Sequence, residues 1–214
     1  LFEDYYAEGD EDFTTFVECY AAGKSDESLK EHVLDLYDAS MSNPWPEEWL
    51  DGCVENYCLD PEKGIVETKW YQSLWEIVDS ALKEAEELNR SAMEICGESE
   101  GPELYLDALQ KDLVLIRQLQ ELSDKQDYDQ MVQTLQNLSF ARLSTKKMEG
   151  VSGQLKSLVK DIREDAKDIL KDLGSRYFQC SLEELTELTL ASAGPLKMLV
   201  KLTKDFAQRF SDKK

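Results

Sequence analysis

The feature that most constrains this chain is an unbroken helical repeat of apolar residues between positions 67 and 96. The repeat advances in alternating steps of three and four residues, which is the spacing of one side of an α-helix. Neither Gly nor Pro interrupts it before Gly97. Such a stripe has to be buried against other helices, so the sequence predicts a long central helix. Its apolar positions are Tyr71, Leu74, Val78, Ala81, Ala85, Leu88, Ala92 and Ile95.

A second helix is predicted directly after this one, over residues 102–123, beyond a short loop from Gly97 to Gly101. Two long helices joined by a short loop favour an antiparallel hairpin. A dimer interface is the alternative use of the first stripe. We favour the hairpin because the second helix is adjacent and apolar enough to cover it, with Leu106, Leu109, Leu113 and Ile116 on its inner face.

The remaining segments also have helical periodicity, and none alternates with the period of a strand. We therefore predict an all-α fold, a multi-helix domain built around the long antiparallel hairpin. Residues 1–214 are expected to form a single domain, with short helices in 1–65, the hairpin in 66–123 and further helices in 124–214. Ser181 and Glu184 form a capping-box pattern at the start of the last segment, and Gly194-Pro195 is expected to bend or break that helix.

The helix predicted over 152–178 separates its residues into three faces. The face expected to be buried contains Leu155, Leu158, Val159, Ile162, Ala166, Ile169, Leu170 and Leu173. A basic polar face contains Lys156, Lys160, Arg163, Lys167 and Lys171, and an acidic face contains Asp161, Glu164, Asp165, Asp168 and Asp172. The basic face could follow a phosphate backbone, but ion pairs along the helix, such as Lys160 with Glu164, are the favoured alternative.

Charge is distributed unequally along the chain. The 45 acidic and 24 basic residues give a net charge of −21. Residues 1–110 contain 29 acidic and 6 basic side chains, whereas residues 111–214 contain 16 and 18. Any surface that faces a polyanion is therefore expected in the second half.

No segment predicts catalysis or a bound cofactor. The sequence has no phosphate-binding loop, nucleophile elbow or metal-binding histidine pair, and its only histidine is His32. Its five cysteines include no CxxC pair, so we expect reduced thiols in a cytoplasmic protein and no zinc site. No apolar run reaches the roughly 18 residues of a membrane helix. Four tryptophans could form a ligand cage, but we expect core anchors: Trp45, Trp49, Trp70 and Trp75.

The sharpest binding signal is a basic stretch from Phe140 to Lys147, which has no regular period and no acidic residue before Glu149. Its three cations, Arg142, Lys146 and Lys147, lie beside the hydroxyl groups of Ser144 and Thr145. Such a stretch suits contacts with phosphate groups, and a solvated flexible loop is the alternative.

Several stretches resemble the A subunit of the bacterial AddAB (RexAB) helicase–nucleases. The resemblance covers essentially the whole chain and is most specific from Asn43 to Leu50, in the sequence Asn-Pro-Trp-Pro-Glu-Glu-Trp-Leu. The similar stretches are Tyr20 to Leu29, Leu36-Tyr37, Ser42 to Leu50, Leu138 to Leu143 and Tyr177-Phe178.

The resemblance implies that the chain is the helical 1B subdomain of a UvrD-like superfamily 1 DNA helicase that also has a nuclease domain. Such a parent uses ATP and Mg²⁺, works with a B subunit on double-stranded and single-stranded DNA, and acts in double-strand break repair and recombination. Its catalytic motifs would lie outside these residues. The chain begins and ends within predicted helices, so we expect a segment of a longer protein.

We therefore expect an accessory, non-catalytic subdomain that guides DNA past the motor. Arg142, Lys146 and Lys147 are the predicted DNA-backbone contacts. The weaker candidates are Lys156, Lys160, Arg163 and Lys167. The alternative is a free-standing acidic helical scaffold that binds a basic protein.

Overall fold

The computed structural model describes residues 1–21, 25–55, 57–59 and 64–212, so Ala22 to Lys24 of the family-like stretch lie outside the described residues. Every regular element within those ranges is helical, which confirms the predicted all-α class. Two single 3₁₀ turns, Ile65–Glu67 and Glu103–Tyr105, accompany the α-helices. These are α1 (Phe2–Glu8), α2 (Glu11–Tyr20), α3 (Glu27–Met41), α4 (Pro46–Glu55), α5 (Lys69–Cys96), α6 (Leu106–Lys125), α7 (Tyr128–Gln136), α8 (Gly153–Tyr177) and α9 (Leu182–Asp212).

The chain divides into two compact units, one of residues 1–69 with 185–214 and the other of residues 70–184. The first unit is built from α1 to α4 and most of α9. Gly9 ends α1 in the left-handed conformation with a φ of 68°, and the Asp10 carboxylate caps α2 by accepting from the Phe13 amide at 2.9 Å. Its core contains Phe2, Tyr5, Phe13, Phe16, Leu29, Val33, Met198 and Leu202.

The second unit contains the antiparallel pair of α5 and α6. Near the middle of α5, Glu86 accepts a hydrogen bond from Gln120 Nε2 at 2.8 Å. At the end of α5, Cys96 lies in one apolar cluster with Leu109, near the start of α6. The connecting turn requires Gly101, because a Cβ there would lie 2.1 Å from the Ile95 carbonyl oxygen.

The buried face of α5 is wider than the predicted stripe. Tyr71, Val78, Ala85 and Ala92 are buried as expected, but Ala81, Leu88 and Ile95 are only half-buried. The neighbouring positions on one side, Trp75, Leu82, Asn89 and Cys96, are buried instead. The reason is that α5 packs against several elements. The ring centre of Tyr71 lies 6.2 Å from that of Tyr128 in α7, and the ring centre of Trp75 lies 5.9 Å from that of Phe178, which follows α8.

Two local predictions for α9 have different outcomes. The capping box is present, since Ser181 N donates to Glu184 Oε2 at 3.0 Å and Glu184 N donates to Ser181 Oγ at 3.2 Å. Of the two predicted effects of Gly194-Pro195, a bend or a break, the break does not occur, because α9 continues through Pro195 to Asp212. One missing amide is tolerated within a helix of 31 residues that packs into the first core.

The tryptophans do not share one role. Trp75 is a buried core anchor, as predicted, whereas Trp49 and Trp70 are half-buried. The prediction is wrong for Trp45, which is 71 % exposed between Pro44 and Pro46. Among the described residues, no helix combines the length and hydropathy needed to cross a membrane.

Candidate nucleic-acid interface

The basic stretch lies in a connection without regular structure that links α7 to α8. The connection is packed against the helices beneath it. Its apolar residues Leu143 and Met148 contact a cluster formed by the ends of α5 and α6 and by α8, which contains Ala92, Cys96, Tyr105, Leu109 and Val159. Ser152, at the end of the connection, donates its amide to the Glu100 carbonyl at 3.0 Å.

Arg163 does not lie on the basic polar face, so that part of the prediction is wrong. The side chain is buried, and its guanidinium donates from Nε to Asp112 Oδ2 at 2.6 Å and from Nη2 to Oδ1 at 3.2 Å. Nη2 also donates to the Ala141 carbonyl oxygen at 2.6 Å. The buried line of α8 runs through Val159, Arg163, Ala166, Leu170 and Leu173, while Leu158, predicted to be buried, is 44 % exposed.

Sequence reasoning missed Asp112, the partner of Arg163. A carboxylate needs such a partner when it is buried, because desolvation of an unpaired charge is costly. The signal in the sequence was its position in the inner stripe of α6, between Leu109 and Ile116. An acidic residue in an apolar stripe predicts a buried cationic partner elsewhere in the chain.

The three main predicted contacts are all exposed. Arg142 and Lys146 form no ion pair with any described residue. Lys147 Nζ lies 3.5 Å from Glu149 Oε1, but both side chains are 87 % exposed, so this pair contributes little. Their cationic groups are therefore available to an anionic ligand.

Two of the weaker candidates, Lys156 and Lys160, lie in the first turns of α8. Lys160 is exposed and Lys156 is half-buried, and neither forms an ion pair with a described residue. The expected pairing of Lys160 with Glu164 is absent from the described contacts. Instead, Glu164 binds Lys167 at 2.6 Å and Lys171 at 2.9 Å.

We call residues 138–160 the basic segment. It contains five cations, Arg142, Lys146, Lys147, Lys156 and Lys160, and one acidic residue, Glu149. No other acidic residue occurs between Asp129 and Asp161. The segment therefore has a local charge of +4 within a chain of charge −21.

Beyond residue 160 the cations of α8 are neutralised. Lys167, the remaining weaker candidate, is bound to Glu164 and lies with its Nζ 5.2 Å from the centre of the Phe140 ring. Hydrogen bonds from Lys167 and Lys171 lower the pKa of Glu164 to about 2. Lys171 also binds Asp168 at 2.6 Å.

The second unit contains no arrangement that indicates metal chemistry. Across the described residues, no group of three or more His, Cys, Asp or Glu side chains is placed to bind a metal ion. The five cysteines are free thiols, and burial raises the pKa of Cys96 to about 11, which keeps it protonated. The exposed cations of the basic segment can bind anions such as phosphate groups by electrostatic attraction.

No protein-family model matches the chain, but it is similar in sequence to several curated proteins that share one name. The whole chain is 37 % identical to part of the A subunit of the ATP-dependent helicase/nuclease of Lachnoclostridium phytofermentans and covers 16 % of that protein. It is 33 % identical to proteins with the same name from Clostridium beijerinckii and Alkaliphilus oremlandii, of which it covers 17 % and 18 %. The chain thus spans about one sixth of the length of the curated relatives it matches.

Proposed function

We propose that this chain is a non-catalytic helical part of an ATP-dependent DNA helicase/nuclease, where it guides DNA past the motor. The support for this assignment is similarity over the whole chain to relatives named as the A subunit of an ATP-dependent helicase/nuclease. Within it, we propose the finer identity suggested by the sequence, a 1B subdomain in a protein of the AddAB type. The parent protein would work with a B subunit in the cytoplasm, in double-strand break repair and recombination.

The observation that carries the proposal is the excess of exposed cations in the basic segment, where Lys147 forms only an exposed pair with Glu149. Four of its cations are exposed and Lys156 is half-buried, while Leu143 and Met148 pack on the cluster formed by α5, α6 and α8. A DNA backbone binds lysine and arginine with release of counterions, and unpaired side chains require no prior breaking of ion pairs. We propose that Arg142, Lys146 and Lys147 contact DNA phosphates, supported by Lys156 and Lys160.

ATP, Mg²⁺ and the nuclease centre would belong to other parts of the parent protein. The described residues include no group placed to bind a metal ion, and the sequence has no phosphate-binding loop. We therefore assign no step of ATP hydrolysis or DNA cleavage to residues of this chain.

The test uses the full-length protein with Arg142→Glu, Lys146→Glu and Lys147→Glu combined. We expect its affinity for tailed duplex DNA to fall at least about tenfold at 0.1 M salt, because three phosphate contacts become repulsive. The slope of log affinity against log salt should become shallower by roughly 2 to 3. Fluorescence anisotropy with labelled DNA over a salt series measures both quantities.

A control with the same change in charge keeps the comparison fair. Lys83, Lys111 and Lys125 are exposed on α5 and α6, and their combined replacement by Glu should leave the slope unchanged. If the two triple variants have equal affinities and slopes, the basic segment is not a DNA contact.

The second candidate is a scaffold that binds a basic protein. The observation in its favour is the acidity of residues 1–110, which hold 29 acidic and 6 basic side chains. On this hypothesis the full-length protein would not bind tailed DNA, whereas the DNA-guiding proposal requires binding that weakens steeply with salt.

A further inference from the structure

We propose that Arg163 and Asp112 form a positioning pair, which fixes the backbone of the basic segment beside Arg142 so that its cations face DNA. The DNA-binding part of this inference rests on the proposed function. The pair itself does not contact DNA, because both side chains are buried: Arg163 is 9 % exposed and Asp112 is 5 % exposed.

The geometry joins three elements through one guanidinium group. Arg163 comes from α8, Asp112 from α6, and the third partner is the carbonyl oxygen of Ala141 in the connection. The planar guanidinium suits this task, since its donors point in fixed directions and bind a carboxylate through two hydrogen bonds. The orientation set by Asp112 therefore determines where the Ala141 carbonyl can lie.

Ala141 immediately precedes Arg142, so the bond acts on the backbone of the first cation. At the other end of the connection, the Ser152 amide is bound to the Glu100 carbonyl at 3.0 Å. Residues 142–151 thus span two fixed points and contain Arg142, Lys146 and Lys147. Leu143 and Met148 pack between those points on the cluster around Cys96.

The substitution Asp112→Asn distinguishes a positioning role of the pair from an effect of charge alone, because the two predict opposite changes in DNA binding. Asp112→Asn removes a negative charge, so on charge alone it would strengthen DNA binding. If Arg163 serves to position the connection, the same substitution weakens DNA binding, because the guanidinium loses its orienting carboxylate and the Ala141 contact loosens. Weaker DNA binding after the loss of an acidic side chain is thus the signature of the positioning pair.

Limited trypsin digestion of the full-length protein provides a readout that is independent of DNA. Trypsin cleaves after Arg142, Lys146 and Lys147, and cleavage of folded protein follows the local opening of the backbone. We expect Asp112→Asn to accelerate cleavage at these three bonds at least about tenfold, as quantified by mass spectrometry of the peptides. Its affinity for tailed DNA should fall several-fold.

Asp107→Asn is the matched control, since Asp107 lies on the same helix, carries the same charge and is 77 % exposed in a pair with Lys111. It should leave cleavage in the basic segment unchanged, and it should not weaken DNA binding. Arg163→Lys provides a second variant if Asp112→Asn does not fold. It preserves the charge but not the fork of donors, and it should also accelerate cleavage after Arg142.

The proposal is overturned if Asp112→Asn and Arg163→Lys both match Asp107→Asn in cleavage rate, or if Asp112→Asn binds DNA more tightly than the unmodified protein. These outcomes are separate from failure of the proposed function. If the triple charge reversal leaves DNA binding unchanged, the DNA-guiding role fails, while the trypsin result still decides whether the pair positions the connection.

Discussion

The basic segment, residues 138–160, and the second part of α8, residues 161–177, contain similar numbers of cations but differ in how those cations are paired. The basic segment has five cations and one acidic residue. Residues 161–177 have four cations and five acidic residues, and all four cations bind carboxylates. The number of lysines and arginines therefore does not distinguish the two regions, whereas the pairing of these side chains does.

Burial adds a second difference, between the pair that Arg163 of α8 forms with Asp112 of α6 and the pair of Arg176 and Asp172 on α8. Arg163 and Asp112 are buried, whereas Arg176 and Asp172 are 66 % and 59 % exposed. Breaking a buried ion pair is costly because the remaining charge is unpaired and desolvated. Breaking an exposed pair costs little, since water solvates the charge that remains. Ion pairs formed by different turns of α8 are therefore expected to contribute unequally to its stability.

The largest expected effect is on local stability. Arg163→Ala should lower the free energy of opening of α8 by about 3 to 5 kcal/mol, since Asp112 becomes an unpaired buried charge. Arg176→Ala should lower it by less than about 1 kcal/mol. Amide hydrogen exchange across α8 in the full-length protein measures both values, and equal losses would contradict the distinction between buried and exposed pairs.

An effect of intermediate size is expected when charges on α8 are reversed, and it should differ between the first turns of the helix and its second part. Lys156→Glu with Lys160→Glu should weaken binding several-fold and make the salt slope shallower by roughly 1 to 2, since these cations are unpaired. Lys171→Glu with Arg176→Glu makes the same change in charge on the same helix. Salt titration by anisotropy should show almost no change for this second pair, and a similar loss for both pairs would break the comparison.

The smallest effect concerns pH. Hydrogen bonds from Lys167 and Lys171 lower the pKa of Glu164 from 4.5 to about 2, so its carboxylate stabilises the fold above pH 4.5. That contribution is lost as the pH falls from 4.5 towards 2. Because Glu164 is 53 % exposed, solvent screening reduces the effect to about 0.5 kcal/mol or less.

Hydrogen exchange of residues 161–177 at pH 6 and pH 3.5 tests this expectation. The unmodified protein should lose slightly more local stability between the two values than Glu164→Gln, which has no carboxylate to protonate. An equal loss in both proteins would show that the Lys167 and Lys171 contacts do not stabilise this part of α8.

Much of the fold followed from local signals. Helical periodicity predicted α5 and α8 to within a few residues, and Ser181 with Glu184 predicted the start of α9, because such signals depend on neighbours in sequence. The width of the buried face of α5 was not predictable in this way, since it depends on packing against Tyr128 and Phe178.

Part of the candidate site was also predictable, because it depends on residues that are adjacent in sequence. Arg142, Lys146 and Lys147 occur in a stretch with no acidic residue before Glu149, and that is a sequence property.

Arg163 lies four residues after Val159 and three before Ala166, so its helical position is on the buried face, and only its charge favoured the polar face. Asp112 is 51 residues from Arg163 in sequence, and only the folded structure brings its carboxylate to the Arg163 guanidinium.

Lysine footprinting of the full-length protein with tailed DNA is the most direct test of the central claim that the basic segment contacts DNA. Acetylation is quantified for each lysine by mass spectrometry, with and without DNA. We expect DNA to protect Lys146, Lys147 and Lys160, and to leave Lys83 and Lys171 as reactive as in the free protein. Unchanged reactivity of Lys146, Lys147 and Lys160 on a protein that has bound DNA would contradict it.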